Sequence, residues 1–160
     1  MHQPVRVGEY MKSLNNQGFT LLEVLVAIVI VSIGLLAVAG MQTTAITGNA
    51  SAKDATIAIQ MAEEMVDRIR VNAGDTPEIY NNIDTDNNCA GLTDPVLGDC
   101  TQWRARLRDA SLGLSGARGI ITVTDDSPIS KTATIIVTIT WGSITTRSVT
   151  FTTIMETWLT

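Results

Sequence analysis

The chain has 160 residues, a formal net charge of −5 and 45% hydrophobic residues. This length allows one ordinary domain, or a smaller domain with an appendage. The acidic balance argues against bulk nucleic-acid binding, which depends on basic side chains that neutralise phosphates, so no nucleic-acid partner is expected.

The first 18 residues are polar and lack any apolar core segment. A secretory signal peptide carries its apolar stretch before the cleavage site, whereas here that stretch begins only after Gly18. Cleavage between Gly18 and Phe19 would remove residues 1–18 as a leader and retain the apolar stretch. Either Met1 or Met11 can be the true start, because the eight residues from Met11 would by themselves make a complete basic leader.

Residues 19–41 form an apolar run in which Glu23 is the single charged residue. The run is long enough to cross a bilayer as a helix, and we expect a transmembrane helix there. Arg6 and Lys12 before the run, and an acidic region after it, predict a cytoplasmic N-terminus by the positive-inside tendency.

The segment from Gln17 to Glu23, QGFTLLE, together with the apolar run that follows it, resembles the N-terminus of type IV pilins and of the pseudopilins of type II secretion. In that superfamily a membrane aspartyl protease, the prepilin peptidase, cuts after the glycine and N-methylates the new first residue. The resemblance implies cleavage between Gly18 and Phe19 and N-methylation of Phe19. It also implies that Glu23, at the fifth mature position, sets the register between subunits.

Glu23 needs a partner, because a carboxylate in a membrane span costs about 2.5–3.5 kcal/mol at the bilayer centre and less near its edge. It lies in the first turn after the expected cut, where the helix dipole favours negative charge. By the resemblance, the N-terminal amine of a neighbouring subunit would neutralise it. The alternative is a Glu23 that stays protonated or extends to the membrane interface.

Beyond residue 41, apolar residues recur at three- and four-residue steps up to about residue 72, with charged residues on the other faces. No proline interrupts residues 19–72, so we expect one long helix that is amphipathic in its second half. The residues predicted to face a core are Ala55, Ile59, Ala62, Val66 and Ile69.

Residues 75–100 are rich in Asp, Asn, Gly and Thr and are predicted to form a loop. The loop contains Cys89 and Cys100, and an even cysteine count in an exported region suggests one disulfide. Two free thiols, or half of a metal site, are the alternatives. Zinc is not expected, because the single histidine, His2, is far away in the chain and no further cysteine is present.

Residues 84–88 also resemble the start of a calcium loop. Cys89 stands where such a loop needs glycine, however, and Pro95 stands where it needs a bidentate Glu. We therefore predict no metal site and no cofactor. An enzyme is not expected either, because no acid/base cluster has a recognisable spacing.

Residues 101–111 suit a short helix with Thr101 as its N-cap. Three residues of this helix are predicted to face inward: Trp103, Leu107 and Ala110. Its three arginines, at 104, 106 and 108, are interpreted as a solvated face and not as a DNA-binding ridge.

Three strands are predicted within residues 119–154: 119–124, 132–141 and 144–154. In the middle strand, alternate residues from Ala133 to Trp141 share one apolar face. Gly142 and Ser143 are predicted to form a two-residue turn between the last two strands. The apolar stripe of the long helix would pack on this sheet, which predicts an α+β fold with a C-terminal antiparallel sheet.

Several features beyond the N-terminus resemble minor pilins of the PilV type, the type IV pilus modification proteins. They are the end of the long helix at 62–72, the paired cysteines before Gln102 and Trp103, and the stretches 116–123 and 137–141. The resemblance implies a pilin-like fold in which residues 42–160 form a periplasmic domain anchored in the bacterial inner membrane. It also implies a subunit that joins other minor pilins and the major pilin and primes pilus assembly.

Two other functions compete with this one. A pseudopilin of type II secretion would have the same N-terminal features, and an adhesive module could be displayed on the same anchor through the loop at 75–100.

Overall fold

The computed structural model describes residues 18–87 and 89–157, so the predicted leader up to residue 17 lies outside the described residues. The chain divides into two units, Met1–Ala45 and Ile46–Thr160. Within the described ranges the α-helices and strands occur in the order α1 Leu21–Asn72, β1 Ile83–Asp84, α2 Val96–Leu107, β2 Arg118–Asp125, β3 Thr132–Trp141 and β4 Arg147–Glu156. Short 3₁₀ helices occupy Pro77–Tyr80, Thr85–Asn87 and Ala110–Leu112.

Helix α1 is continuous over 52 residues and ends at Asn72. Its buried residues all lie in its C-terminal part: Ala58, Met61, Ala62, Met65, Val66 and Ile69. The predicted stripe was therefore wrong at Ile59, which is 40% exposed. Steps of three and four residues fit more than one stripe on this helix, and its packing on the sheet selects the one that contains the two methionines.

The sheet has the strand order β1-β2-β3-β4, and every neighbouring pair is antiparallel. The predicted inward face of β3 is confirmed, since all five of its alternate residues are buried: Ala133, Ile135, Val137, Ile139 and Trp141. In the register, Val137 lies between Ile121 of β2 and Phe151 of β4. The α+β prediction, with a long N-terminal helix packed on a small antiparallel sheet, is confirmed.

The connection between β3 and β4 differs from the predicted two-residue turn. Trp141 pairs with Arg147, so residues 142–146 form the loop and Ile144 is 98% exposed instead of lying in a strand. Gly142 adopts a φ of 104°, and a Cβ there would collide with the carbonyl oxygen of Thr145. The loop folds back so that the carbonyl of Thr145 lies close to Gly142. The predicted two-residue turn would not require such a close approach.

The stretch 75–100 is more ordered than the predicted loop, because it contains two 3₁₀ helices, β1 and the first turn of α2. Helix α2 begins at Val96, directly after Pro95, a residue type suited to helix starts. Thr101 is consequently inside the helix and is not its N-cap, and its hydroxyl donates to the carbonyl of Leu97 at 2.7 Å. The helix ends at Leu107, so Ala110 lies beyond it and is exposed.

Trp103 anchors α2 in the core of the C-terminal unit. Its side chain is fully buried, and its indole N–H donates to the carbonyl of Met61 in α1 at 3.0 Å. The ring lies directly over Gly119 of β2, where a Cβ would overlap three ring atoms. Glycine at this position lets the helix approach the sheet closely.

Candidate functional site

The predicted processing residues lie immediately before α1. Gly18, Phe19 and Thr20 are non-helical and exposed, and the side chain of Phe19 is 88% accessible. The carbonyl of Thr20 accepts the first helical hydrogen bond, from the N–H of Val24 at 3.3 Å. Thr20 is therefore the N-cap residue of α1.

Thr20 and Glu23 cap this helix end reciprocally. The N–H of Thr20 donates to Oε2 of Glu23 at 2.8 Å, and the hydroxyl of Thr20 lies 3.0 Å from the same oxygen. In return the N–H of Glu23 lies 3.3 Å from the Thr20 hydroxyl oxygen. This is the capping box that the spacing Thr-x-x-Glu forms at helix starts.

The role of Thr20 was missed in the sequence, although the spacing Thr-x-x-Glu directly before an apolar run is a recognised signal for it. The capping box also changes the account of Glu23. One of its carboxylate oxygens, Oε2, is already used within the chain. The other, Oε1, accepts no hydrogen bond from the described residues and is available to a cation from outside.

The apolar part of α1 is exposed along its whole length, because none of the described residues covers it. Among residues 18–87 and 89–157, α1 is the one helix long and apolar enough to cross a membrane, as judged by length and composition. The hydroxyl of Ser32, within this part, donates to the carbonyl of Ile28 at 2.7 Å, so it needs no solvent. This surface is suited to contact with lipid tails or with other apolar helices.

The two cysteines are joined, since Cys89 and Cys100 form a disulfide with an S–S distance of 2.02 Å. Both are buried, and the bridge connects the stretch after β1 to α2. The pair therefore holds the C-terminal unit together and provides no free thiol.

A polar network next to the disulfide joins α1, α2 and the 3₁₀ helix at 77–80. Asp99 is 6% exposed and accepts from the Tyr80 hydroxyl at 2.5 Å, from Asn72 Nδ2 at 2.7 Å and from Arg68 Nη1 at 3.3 Å. Burial and the bond to Asp99 raise the pKa of Tyr80. Sequence patterns could not reveal this network, because its members are far apart in the chain. Its groups satisfy one another, as a buried carboxylate requires.

The residues that resembled a calcium loop pair with arginines. Asp84 accepts from Nε of Arg118 at 2.9 Å and from Nη2 at 2.5 Å, and this guanidinium lowers the pKa of Asp84. Asp86 contacts Arg108 at 3.2 Å. Arg106 pairs with Glu64 of α1. Arg106 of α2 and Arg108, which directly follows the helix, are therefore both engaged in ion pairs within the chain.

Residues 13–39 match the family model described as the prokaryotic N-terminal methylation motif. Comparisons with curated proteins and with solved structures give no significant match. The motif implies processing by a prepilin peptidase and assembly with other pilins, and it fits membrane anchoring through α1. Together with the α+β fold, it indicates a structural subunit and supports assignment of the chain to the type IV pilin-like proteins, which form pili and pseudopili.

Proposed function

We propose that this chain is a minor type IV pilin of the PilV type. In this proposal the prepilin peptidase cuts after Gly18 and methylates Phe19. Residues 19–41 then anchor the chain in the inner membrane with the N-terminus cytoplasmic and the C-terminal unit periplasmic. The subunit joins other minor pilins in a complex that primes pilus assembly, and it enters the pilus with the major pilin.

The uncovered apolar surface at the start of α1, with Glu23 at its end, is the observation that carries this proposal. Lipid tails cover such a surface as well as other helices do, so apolar burial alone gives little preference for assembly. A specific polar contact supplies that preference. Glu23 Oε1 has no partner within the described residues, and the amine created on a neighbouring subunit by processing would pair with it.

Part of the stretch 75–100, which the adhesive alternative would use, has a structural role in the C-terminal unit. Its buried members are Pro77, Tyr80, Ile83, Thr85, Cys89, Val96, Asp99 and Cys100. These residues close one side of the core, whereas more than half of the described residues in the stretch are exposed. The adhesive alternative is therefore left to experiment.

Processing is tested by Gly18→Ala in the full-length chain. A Cβ at residue 18 meets no atom within 4 Å, and the same is true at Gly40, which lies outside the matched motif. Gly18→Ala should therefore leave the fold unchanged and accumulate as a slower-migrating precursor, while Gly40→Ala is processed normally. Normal migration of Gly18→Ala would refute the prepilin assignment.

Assembly is tested by Glu23→Gln, which removes the charge and keeps a side chain that can complete the capping box. We expect normal membrane insertion and a large loss of incorporation into pili, together with weaker co-purification of partner pilins. Incorporation at the wild-type level would show that the charge of Glu23 does not select the neighbouring subunit.

Deletion of the gene separates pilus from secretion. Loss of surface pili and of twitching, with normal protein secretion, is the expected result. Lost secretion with normal piliation would instead assign the chain to a pseudopilus. Normal piliation with lost surface attachment would favour the adhesive module.

A further inference from the structure

We propose that Thr20 is a positioning residue for removal of the leader, because its capping box starts α1 immediately after the scissile bond and keeps that bond out of the helix. This inference rests on the proposed function, since it concerns cleavage between Gly18 and Phe19. Hydrolysis there adds one water to the Gly18–Phe19 peptide bond and leaves a carboxylate on Gly18 and an amine on Phe19.

A protease cleaves a peptide bond that is exposed and free of helical hydrogen bonds, and its rate follows the fraction of chains that present the bond in that form. In the structure Gly18 and Phe19 are both non-helical and exposed, although a helix of 52 residues begins at Leu21. The boundary lies between them and the helix, at Thr20.

Three contacts fix the boundary at Thr20. Its N–H and its hydroxyl contact Oε2 of Glu23 at 2.8 and 3.0 Å, and the N–H of Glu23 contacts the Thr20 hydroxyl oxygen at 3.3 Å. The N–H of Thr20 is directed to a side chain and not to a carbonyl of an earlier turn. The helix therefore cannot extend towards Gly18 without breaking this contact.

Without the cap, the helix can start further upstream. Asn16 is the next residue towards the N-terminus with a side chain of the cap-forming type. A helix that starts after Asn16 would include Gly18 and Phe19 in its first turn and would place the scissile bond inside it. The cap at Thr20 opposes this extension.

The capping box also persists after cleavage, because Thr20 keeps its amide N–H when Phe19 becomes the first residue. Glu23 thereby takes part in two steps. Its Oε2 completes the cap with Thr20 that presents the scissile bond to the peptidase, and its Oε1, which accepts no hydrogen bond from the described residues, would pair with the neighbouring subunit.

The experiment measures the rate of leader removal from the full-length chain in membrane vesicles that contain prepilin peptidase. Thr20→Val keeps the size and branching of the side chain and removes the hydroxyl. We expect its kcat/KM to fall, by at most about fivefold, because loss of one N-cap changes the equilibrium between the two helix starts by about that factor. Thr20→Ser keeps a hydroxyl that caps at least as well, and it should be cleaved at the wild-type rate.

Equal rates for Thr20→Val and the wild-type chain, or a fall in rate for Thr20→Ser equal to that of Thr20→Val, would overturn the inference. Either result with normal cleavage of the wild-type chain leaves the proposed function intact. A wild-type chain that is not cut after Gly18 would refute the proposed function itself.

Discussion

Replacement of Gly119 by alanine would place a methyl group where the indole ring of Trp103 now lies. The added Cβ would overlap three ring atoms, which is closer than side chains approach one another in folded proteins. Trp103 is fully buried and cannot move away freely. We expect Gly119→Ala to destabilise the C-terminal unit.

The size of the expected destabilisation follows from the packing and the hydrogen bond that the indole ring would lose. Inserting a methyl group into a packed core costs about 1–3 kcal/mol. A displaced ring would also strain or lose the hydrogen bond from Trp103 to the carbonyl of Met61, and leaving such buried groups unpaired costs about 1–3 kcal/mol. The smaller conformational freedom of alanine in the unfolded chain offsets about 0.4–1 kcal/mol. Together these contributions give an expected loss of about 1–6 kcal/mol.

Urea unfolding of the full-length protein in detergent, followed by near-UV circular dichroism, measures this loss as a lower midpoint with an unchanged slope. The matched control is Gly98→Ala in α2, where the nearest atom, Oδ1 of Asp94, lies 3.4 Å from the added Cβ. That variant should be neutral or up to about 1 kcal/mol more stable, since alanine is the better helix former.

If the added methyl group clashes with the indole ring, the cost of Gly119→Ala must depend on that ring. In a Trp103→Phe background the shorter side chain leaves space for the methyl group, so Gly119→Ala should cost much less there. Equal costs in the two backgrounds would refute the proposed contact, because two residues that clash must show a coupling energy.

Three further predictions concern the C-terminal unit. Asp84→Asn should lower the free energy of unfolding at neutral pH and have little effect in acid. Arg118 lowers the pKa of Asp84, so the resulting stabilisation is present above the carboxyl's unfolded pKa and is lost as the pH falls through its folded pKa. Urea unfolding between pH 3 and pH 7 tests this, and a difference between variant and wild type that grows in acid would contradict it. Reduction of the Cys89–Cys100 bridge should lower the free energy of unfolding by about 3 kcal/mol, a value set by the short closed loop with its sequence separation of 11. Thermal unfolding with and without reductant measures this loss. The control is a Cys89→Ser, Cys100→Ser double variant, which should not respond to reductant. Gly142→Ala should destabilise the C-terminal unit by about 1–3 kcal/mol, because the φ of 104° at this position is strained for alanine and an added Cβ would collide with a backbone carbonyl. An unchanged midpoint of thermal unfolding would contradict the loop geometry.

Strong periodic signals made parts of the fold predictable. In strand β3 one face is apolar throughout and the other is threonine at every position except Ile136, so its buried face could be read directly from the sequence. The end of α1 at Asn72 was likewise marked by the polar residues and glycine that follow it. Each of these signals lies within one stretch of chain and does not depend on a distant partner.

Prediction failed where a distant contact decides the conformation. Residues 75–100 looked like a loop because their polar residues have no local period, yet β1 forms there because β2 pairs with it and α2 begins there after Pro95. Asp99 is buried because Arg68, Asn72 and Tyr80 reach it from two other elements.

At the N-terminus the sequence by itself determined the main features: an apolar helix, a glycine before it, and a glutamate in its first turn. Their chemistry is local, so no fold was needed to recognise them. The three-dimensional structure decided how the Glu23 carboxylate is bonded, because it shows Oε2 bonded to Thr20 while Oε1 accepts no hydrogen bond from the described residues. In the C-terminal unit, it also decided why residue 119 is glycine, since that requirement arises from Trp103, a residue of another element.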